Sequence, residues 1–237
     1  KRVRIRLADD LREERSHSVS LSADLYHTFG KVQTNLLVEG FYTILDDVFA
    51  LRDMDDAADG GKVKERYNGS GATVRGFNVE GRAAFTRWFE LQAGVTLQQS
   101  RYKEPEFWSE DAEVPPVRRM FRTPDAYGYF TASFKPVRNF TADLSGTCTG
   151  SMLVQHMAGS GVAQDVAVST PSFFDMNIRL SYDVRIYKEI TMQLYGGVQN
   201  LFNAYQKDFD KGVDRDSGYI YGPSLPRSWF VGAKFSF

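Results

Sequence analysis

The residues best suited to chemistry lie near the C-terminal end of the chain. Four aspartates are interspersed with basic residues there, namely Asp208, Asp210, Asp214 and Asp216. Carboxylate oxygens are hard ligands that suit Ca²⁺, so this run is a candidate cation site. Its spacing does not match the calcium loop of an EF-hand. We therefore favour a solvated loop with internal ion pairs.

Aromatic residues form the second candidate group, because their amphipathic rings suit stacking on a bound ligand. Six of them fall in two long segments that lack strand-like alternation: Phe107, Trp108, Tyr205, Phe209, Tyr219 and Tyr221. The alternative is that these rings pack the segments against one another. The sequence thus predicts ligand contacts here and leaves a packing role open.

Metal and catalytic chemistry have little support elsewhere in the chain. The three histidines, His17, His27 and His156, fall on separate strands or loops without a paired spacing for a metal. His156 lies near one end of a predicted strand. Its even position places it on the apolar face of that strand, the face that a membrane barrel would turn toward lipid, which argues against a catalytic Ser/His or Asp/His pair. Cys148, the only cysteine, is interpreted as a small apolar residue. We expect neither enzymatic activity nor a cofactor.

The elements that position these residues are predicted to be β-strands, because apolar and polar residues alternate along much of the chain. In the clearest case, the even-numbered residues from Phe140 to Val154 are apolar or small, and the odd-numbered ones are hydroxylated or acidic. This period of two predicts about nine antiparallel strands. Several exceed the soluble average of about 5–6 residues and suit tilted membrane strands of about 9–11.

The lengths of the connections also alternate. Short turns are predicted at residues 29–31, 86–88, 136–139 and 185–189, and long segments at 46–64, 103–124, 157–171 and 201–227. This pattern is typical of an up-and-down outer-membrane β-barrel, whose long loops are extracellular. Residues 1–17 would then belong to an extracellular loop and residues 18–237 to the barrel. A soluble β-sandwich leaves the long strands and alternating loops unexplained.

Composition excludes several classes of protein. The 237 residues carry a formal net charge of −1, so no nucleic-acid partner is expected. No run approaches the roughly 20 apolar residues of a membrane helix, and a single cysteine excludes a disulfide framework. Nine strands is an odd number, whereas bacterial single-chain barrels have even numbers and lipid tolerates no open sheet edge. We therefore expect a segment of a larger barrel that does not fold alone.

Short motifs at both ends of the chain carry a family resemblance. Val198-Gln199-Asn200-Leu201-Phe202-Asn203 lies at the top of the penultimate predicted strand, and the chain closes with Lys234-Phe235-Ser236-Phe237. Near the start comes Leu11-Arg12-Glu13-Glu14-Arg15-Ser16. Together these segments resemble the C-terminal barrel strands of TonB-dependent outer-membrane receptors, although Glu13 replaces a proline that is common there.

The resemblance implies a 22-stranded barrel filled by an N-terminal plug domain, of which this chain would be the C-terminal part. It implies uptake of a scarce nutrient, with an iron–siderophore complex favoured and cobalamin, haem or an oligosaccharide open. A passive porin or structural barrel is the other alternative. The implied location is the outer membrane of a Gram-negative bacterium. The implied partners are outer-membrane lipid, the TonB complex through the plug, a small nutrient ligand, and the assembly machinery, which would read Phe237.

Overall fold

The chain folds as β-structure throughout the computed structural model, which describes residues 3–54, 62–159, 161–187 and 189–236. In those ranges no helix is long and apolar enough to cross a membrane. The strands are β1 (Val3–Leu7), β2 (Arg15–Phe29), β3 (Val32–Asp46), β4 (Phe49–Met54), β5 (Lys62–Asn68), β6 (Ala72–Thr86), β7 (Phe89–Glu106), β8 (Val117–Arg119), β9 (Ala126–Val137), β10 (Phe140–Thr149), β11 (Leu153–His156), β12 (Val166–Ser169), β13 (Phe173–Tyr187), β14 (Ile190–Gln199) and β15 (Ser228–Ser236).

Nine long strands form one antiparallel sheet, which we call the wall. Their spatial order is β2-β3-β6-β7-β9-β10-β13-β14-β15, and the short strand β8 adds to β7. Each wall strand pairs with the next one along the chain, apart from the short strands inserted between them. The predicted all-β meander of about nine long strands is therefore confirmed. The sheet is not closed, since its path ends at β2 and β15.

Short turns and long connections alternate between the two ends of the wall. Tight turns join β2 to β3, β6 to β7 and β9 to β10 at one end, which we call the turn end, and β13 and β14 are separated there by only two residues. At Gly30 the first turn needs a left-handed φ of 63°, which glycine adopts without steric cost. All the long connections lie at the opposite end, the loop end.

The long connections contain strands of their own. β1, β5 and β4 form a three-stranded sheet, and β11 pairs with β12 as a hairpin. The strand predicted from Phe140 to Val154 was therefore wrong beyond Thr149. The reason is the neighbouring strand: β9 begins at Ala126, whose carbonyl accepts a last bond from the Gly150 amide at 2.8 Å. Beyond this point the wall offers no partner, and Val154 continues into β11 instead.

The two faces of the wall differ as the alternation predicts. Neighbouring residues on the outer face include Leu21, Gly40, Phe77 and Leu97, each in register with the next. The inner face carries polar side chains that bond across strands. There the Glu80 carboxylate accepts hydrogen bonds from the Gln92 amide at 2.8 Å and from the Tyr129 hydroxyl at 2.5 Å. Cross-strand pairs of this kind satisfy polar groups on the face opposite the apolar one.

Little apolar surface is buried within the wall itself. Among the described residues, the buried hydrophobic side chains are Ala8, Ala72, Val154, Val198, Tyr219 and Tyr221. Val154, Tyr219 and Tyr221 pack together in the loops, with Met152, Val168 and Phe173 around them. The core therefore lies at the loop end, between the β11–β12 hairpin and the segment that precedes β15.

Candidate functional site

The loop core, formed by Val154, Tyr219 and Tyr221, joins two outer segments that are far apart in sequence. Val154 comes from β11, and both tyrosines come from the long connection between β14 and β15. Arg122, from a third loop, donates to the carbonyl oxygens of Gly218 at 2.5 Å and Ile220 at 2.9 Å. Three outer loops are thus held as one unit.

His156 is at the centre of the contact between these segments. Its Nε2 lies 2.9 and 3.0 Å from the two carboxylate oxygens of Asp210. Its ring stacks on Tyr219 with centroids 3.7 Å apart and planes inclined by 4°. Both partners of the His156–Asp210 pair are buried. The prediction that His156 faces lipid was wrong, because it rested on extending the β10 alternation past the end of that strand.

Asp208 binds both core tyrosines. Its carboxylate accepts the Tyr219 hydroxyl at 2.6 Å and the Tyr221 hydroxyl at 2.5 Å. Burial alone would raise the pKa of Asp208, but the hydrogen bonds from the two tyrosines, together with those from its own backbone amide and from Gln206, outweigh it and hold the pKa below its usual value. Burial and the bond to Asp208 raise the pKa of Tyr221 to about 12, and the same causes raise that of Tyr219.

Most carboxylates of the predicted acidic run already accept hydrogen bonds from other groups of the protein. The Asp216 amide and His156 lower the pKa of Asp210, and the Asp216 carboxylate accepts the backbone N–H groups of Met157 and Gly218. Of the four aspartates, Asp214 alone has no carboxylate hydrogen bond among these contacts. No group of three or more His, Cys, Asp or Glu side chains is arranged to hold a metal within the described ranges. The run ties loops together and presents no open set of cation ligands.

A second feature of the loop end is a cavity of about 820 Å³, which we call the loop cavity. It lies between the β4–β5 hairpin, the segment after β7 and the end of β11. Its lining residues are Leu51, Arg52, Met54, Lys64, Tyr67, Phe107, Trp108, Ser109, Glu110, Gln155 and Met157. Aromatic and cationic groups therefore share one concave surface.

Arg52 is held in the loop cavity from two sides. Its guanidinium donates to the buried Glu65 carboxylate at 2.8 and 2.5 Å. The same group lies over the Tyr67 ring, 4.9 Å from the centroid. A guanidinium fixed by a carboxylate and an aromatic face is positioned before any ligand arrives.

The predicted aromatic residues separate into two groups. Phe107 and Trp108 line the loop cavity; the Trp108 ring meets Phe121 edge-on at 5.4 Å, and its Nε1 donates to the Pro115 carbonyl at 3.3 Å. Tyr219 and Tyr221 are buried in the loop core, so ligand contact would require that core to open.

Tyr205 and Phe209, the remaining two candidates, are 42% and 45% exposed on the last loop. They line neither the loop core nor the loop cavity. The predicted assembly signal, Phe237, lies outside the described residues.

Sequence reasoning missed Arg52, Lys64 and Tyr67, which line the loop cavity, and misplaced His156. Arg52 and Lys64 lie in residues 46–64, which the sequence predicts to be a long loop, and Tyr67 follows that segment. The pairing of Arg52 with Glu65 across β4 and β5 is a contact that composition alone does not indicate. An alternation count over the short stretches of residues 49–54 and 62–68 was the available signal.

The Asn-Leu-Phe-Asn segment forms a clamp at the top of β14. Asn200 and Asn203 both adopt left-handed φ angles, 50° and 52°, which asparagine tolerates better than most residues. The buried Asn200 amide donates to the carbonyls of Ala204 at 2.8 Å and Leu225 at 2.9 Å, and its oxygen accepts the Ala204 amide at 2.8 Å. One side chain therefore fixes both ends of the last outer loop.

Comparison with known proteins agrees with this architecture. The family profile described as "TonB dependent receptor-like, beta-barrel" matches residues 5–201. No curated protein gives a significant match.

Among solved structures, similarity extends over nearly the whole chain. The ferric-catecholate import receptor Fiu of E. coli K12 is 17% identical, with a TM-score of 0.64 over 95% of this chain and 28% of that one. The copper transporter OprC is 14% identical, with a TM-score of 0.64 over 97% and 32%. The siderophore receptor PirA of Pseudomonas aeruginosa is 12% identical, with a TM-score of 0.58 over 96% and 31%.

At such identities the structural likeness shows the fold alone, and this chain spans about three tenths of the length of these proteins. The family profile, in contrast, covers more than half of the sequence. Members of the family are outer-membrane proteins of Gram-negative bacteria that act as receptors and transporters. The chain belongs to the TonB-dependent receptor family, and its wall is part of the family's β-barrel.

Proposed function

We propose that this chain supplies part of the wall and the outer loops of a receptor for TonB-energised uptake of an iron–siderophore complex. The observation that carries the proposal is the loop cavity, where Arg52 and Lys64 lie beside Tyr67, Phe107 and Trp108. A cavity of about 820 Å³ falls in the range of small-molecule sites, about 300–1,000 Å³.

The chemistry of the loop cavity suits an anionic ferric chelate with planar groups. Arg52 and Lys64 bring cationic N–H donors into its lining, and Glu65 behind Arg52 and Glu110 in the lining balance their charge. A guanidinium and an ammonium can give charge-assisted hydrogen bonds to the oxyanion groups of a chelate. The rings of Phe107 and Trp108 offer flat apolar faces for the chelating groups. No bond is made or broken in this step, so we propose transport without catalysis and without a cofactor.

Further parts of the proposal rest on the family rather than on this chain's contacts. The TonB complex would act through a plug domain, the assembly machinery would read Phe237, and the location would be the outer membrane of a Gram-negative bacterium. Residues 1–17 would be an outer loop segment and residues 18–237 the barrel part, although Arg15 and His17 already pair with β3. Fiu is a ferric-catecholate import receptor and PirA a siderophore receptor, and both favour iron.

The test uses the full-length receptor in a Gram-negative strain that lacks its own siderophore receptors. Binding and uptake of radioactive iron are measured with catecholate, hydroxamate and carboxylate siderophores, with and without TonB. We expect saturable, TonB-dependent uptake of at least one chelate. Uptake that persists without TonB would indicate the passive porin. Transport of cobalamin or an oligosaccharide, but of no iron chelate, would replace the substrate and keep the transport class.

Variants in the loop cavity sharpen the test. Trp108→Ala and Lys64→Gln should each weaken chelate binding about tenfold, because each removes a side chain that lines the cavity. Arg52 is left unchanged, since its loss would strand the buried Glu65 carboxylate. Trp88→Ala and Arg87→Gln at the turn end are the matched controls and should bind as the parent does. Equal binding by the loop and control variants would exclude the loop cavity as the binding site.

A further inference from the structure

The outer face of the wall carries one charged side chain where all its neighbours are uncharged. In register across four strands, Val19, Tyr42, Arg75 and Gln99 form one row, with Leu21, Gly40, Phe77 and Leu97 in the row below, toward the turn end. From the row of Arg75 to the turn end, no other Arg, Lys, Asp or Glu points outward from the described wall strands. Arg75 is therefore placed at a boundary.

The height of the wall identifies that boundary. Phe77 and Phe85 lie eight residues apart on β6, about 27 Å along the strand at about 3.4 Å per residue. With a tilt of about 40°, this stretch spans about 20 Å of membrane, close to the apolar band of about 25 Å in outer-membrane barrels. Arg75 then lies at the headgroup depth of the leaflet on the loop side.

A groove runs from Arg75 into the apolar band. Its volume is about 660 Å³, and its walls include Val19, Leu21, Tyr42, Phe77 and Leu97. The groove is open at Gly40, because glycine has no side chain to fill it. A Cβ at this position would touch only the Phe77 ring, at 3.5 Å. Arg75 and Gln99 line the same groove. The one acidic lining residue, Asp125, is already paired with Arg119 at 3.2 Å.

Arg75 differs from the basic residues around it. Arg15 pairs with Glu13, Lys103 with Asp46, and Arg118 with Glu104. Arg75 donates only to the neutral amide oxygen of Gln99, at 2.8 Å, as far as the described residues go. A guanidinium has five N–H donors, so a paired set stays available for the fork geometry that oxyanions such as phosphate prefer.

We propose that this groove binds lipid A, the phosphorylated and multiply acylated glycolipid of the outer leaflet. Arg75 binds a phosphate on the sugar, and an acyl chain lies over Gly40 between Leu21 and Phe77. Charge complementarity supplies the orientation, and the groove supplies apolar contact for the chain. The inference rests on the proposed outer-membrane orientation, in which the loop end is extracellular.

The test measures lipid binding by the purified full-length receptor, stripped of lipid in detergent and analysed by native mass spectrometry. The probes are diphosphorylated hexa-acyl lipid A, the same lipid without phosphates, and phosphatidylglycerol. Arg75→Gln should bind diphosphorylated lipid A about tenfold more weakly, because it loses a charge-assisted contact. Arg75→Lys should retain part of the affinity. Arg87→Gln, at the turn end, is the matched control and should bind as the parent does.

Three outcomes would overturn the proposal: equal binding by the parent and Arg75→Gln, equal binding of the dephosphorylated lipid, or equal binding of phosphatidylglycerol. If Arg75→Gln does not fold, Gly40→Leu decides, since it fills the groove and leaves the guanidinium in place. It should lower lipid A affinity, and unchanged affinity would refute the groove. Nutrient uptake is not the readout, so the failure of this site and the failure of the proposed transport are distinguishable.

Discussion

The wall and the loop core are stabilised in opposite ways. In the wall, antiparallel backbone pairing joins nine strands, and large apolar side chains on interior strands, such as Phe77 and Leu97, stay 64% and 56% exposed. In the loop core, Val154 and Tyr219 are 0% and 2% exposed. The same chain thus turns its apolar residues outward in one region and inward in the other.

The difference follows from the solvent that each region meets. Lipid offers no hydrogen bonds, so the wall satisfies its backbone polar groups internally and presents apolar side chains to the acyl chains. Outer loops meet water, so they bury apolar surface and pair their polar groups, as Asp208 and His156 do. Substitutions should therefore act on the two regions by different rules.

The largest expected effect comes from placing a charge on the outer face of the wall. Ala93→Lys should lower the free energy of unfolding of the full-length receptor in lipid by about 2–4 kcal/mol, because position 93 pairs with Gly81, midway between Phe77 and Phe85, and lysine would lie at mid-membrane depth. Thr131→Lys, on the inner face of the adjacent strand β9, should cost no more than about 0.5 kcal/mol. Urea titration in lipid vesicles measures both. Equal losses for the two variants would contradict the assignment of faces.

A smaller loss should follow from Asn200→Ala, and it should stay within the loops. The variant leaves the carbonyls of Ala204 and Leu225 without their donor and places alanine at a φ of 50°. Together these changes should lower the free energy of unfolding by about 2–3 kcal/mol. Hydrogen exchange of residues 204–225 should accelerate, while exchange in β13 and β14 stays unchanged. Asn200→Gly, which loses the bonds but tolerates the angle, should fall between. Acceleration spread over the wall strands would argue against a local clamp.

The smallest expected effect is a change in the pKa of Tyr221 in the loop core. The pKa of Tyr221 is raised to about 12, so the stabilisation it brings is complete below its ordinary pKa of about 10 and is lost as the pH rises through about 12. Asp208→Asn removes the charged acceptor and should bring the pKa of Tyr221 back toward 10. The ultraviolet absorbance of tyrosinate, read as the difference from Tyr221→Phe, follows this titration. An unchanged pKa in Asp208→Asn would exclude the charged carboxylate of Asp208 as a cause.

The wall was predictable because its side chains alternate between the two faces of the sheet with a period of two residues. Each long strand faces lipid on one side, so alternation in stretches such as Phe174–Val184 revealed both its existence and its faces. The order of strands followed from the turns, because a hairpin of two residues leaves no choice of neighbour. The family resemblance added the Asn-Leu-Phe-Asn segment, and the structure supplies its physical role.

The loop end was less predictable because its contacts join segments distant in sequence. His156 and Asp210 lie 54 residues apart, and no local period links them. The alternation of apolar and polar residues gave a wrong prediction for Val154 and His156, because it continues after the neighbouring strand has ended. The aromatic candidates were chosen by residue type, which cannot separate the exposed Phe107 from the buried Tyr219.

The clamp at Asn200 has a consequence for how such loops evolve. Because one side chain fixes both ends of residues 204–225, the intervening sequence can be replaced as a cassette without shifting the register of β14 and β15. The cassette is not autonomous, however, since Asp210 requires His156 on the β11–β12 hairpin. Lineages that exchange one segment should exchange the other with it. Positions 156 and 210 should therefore co-vary, whereas Asn200 should persist through the exchange.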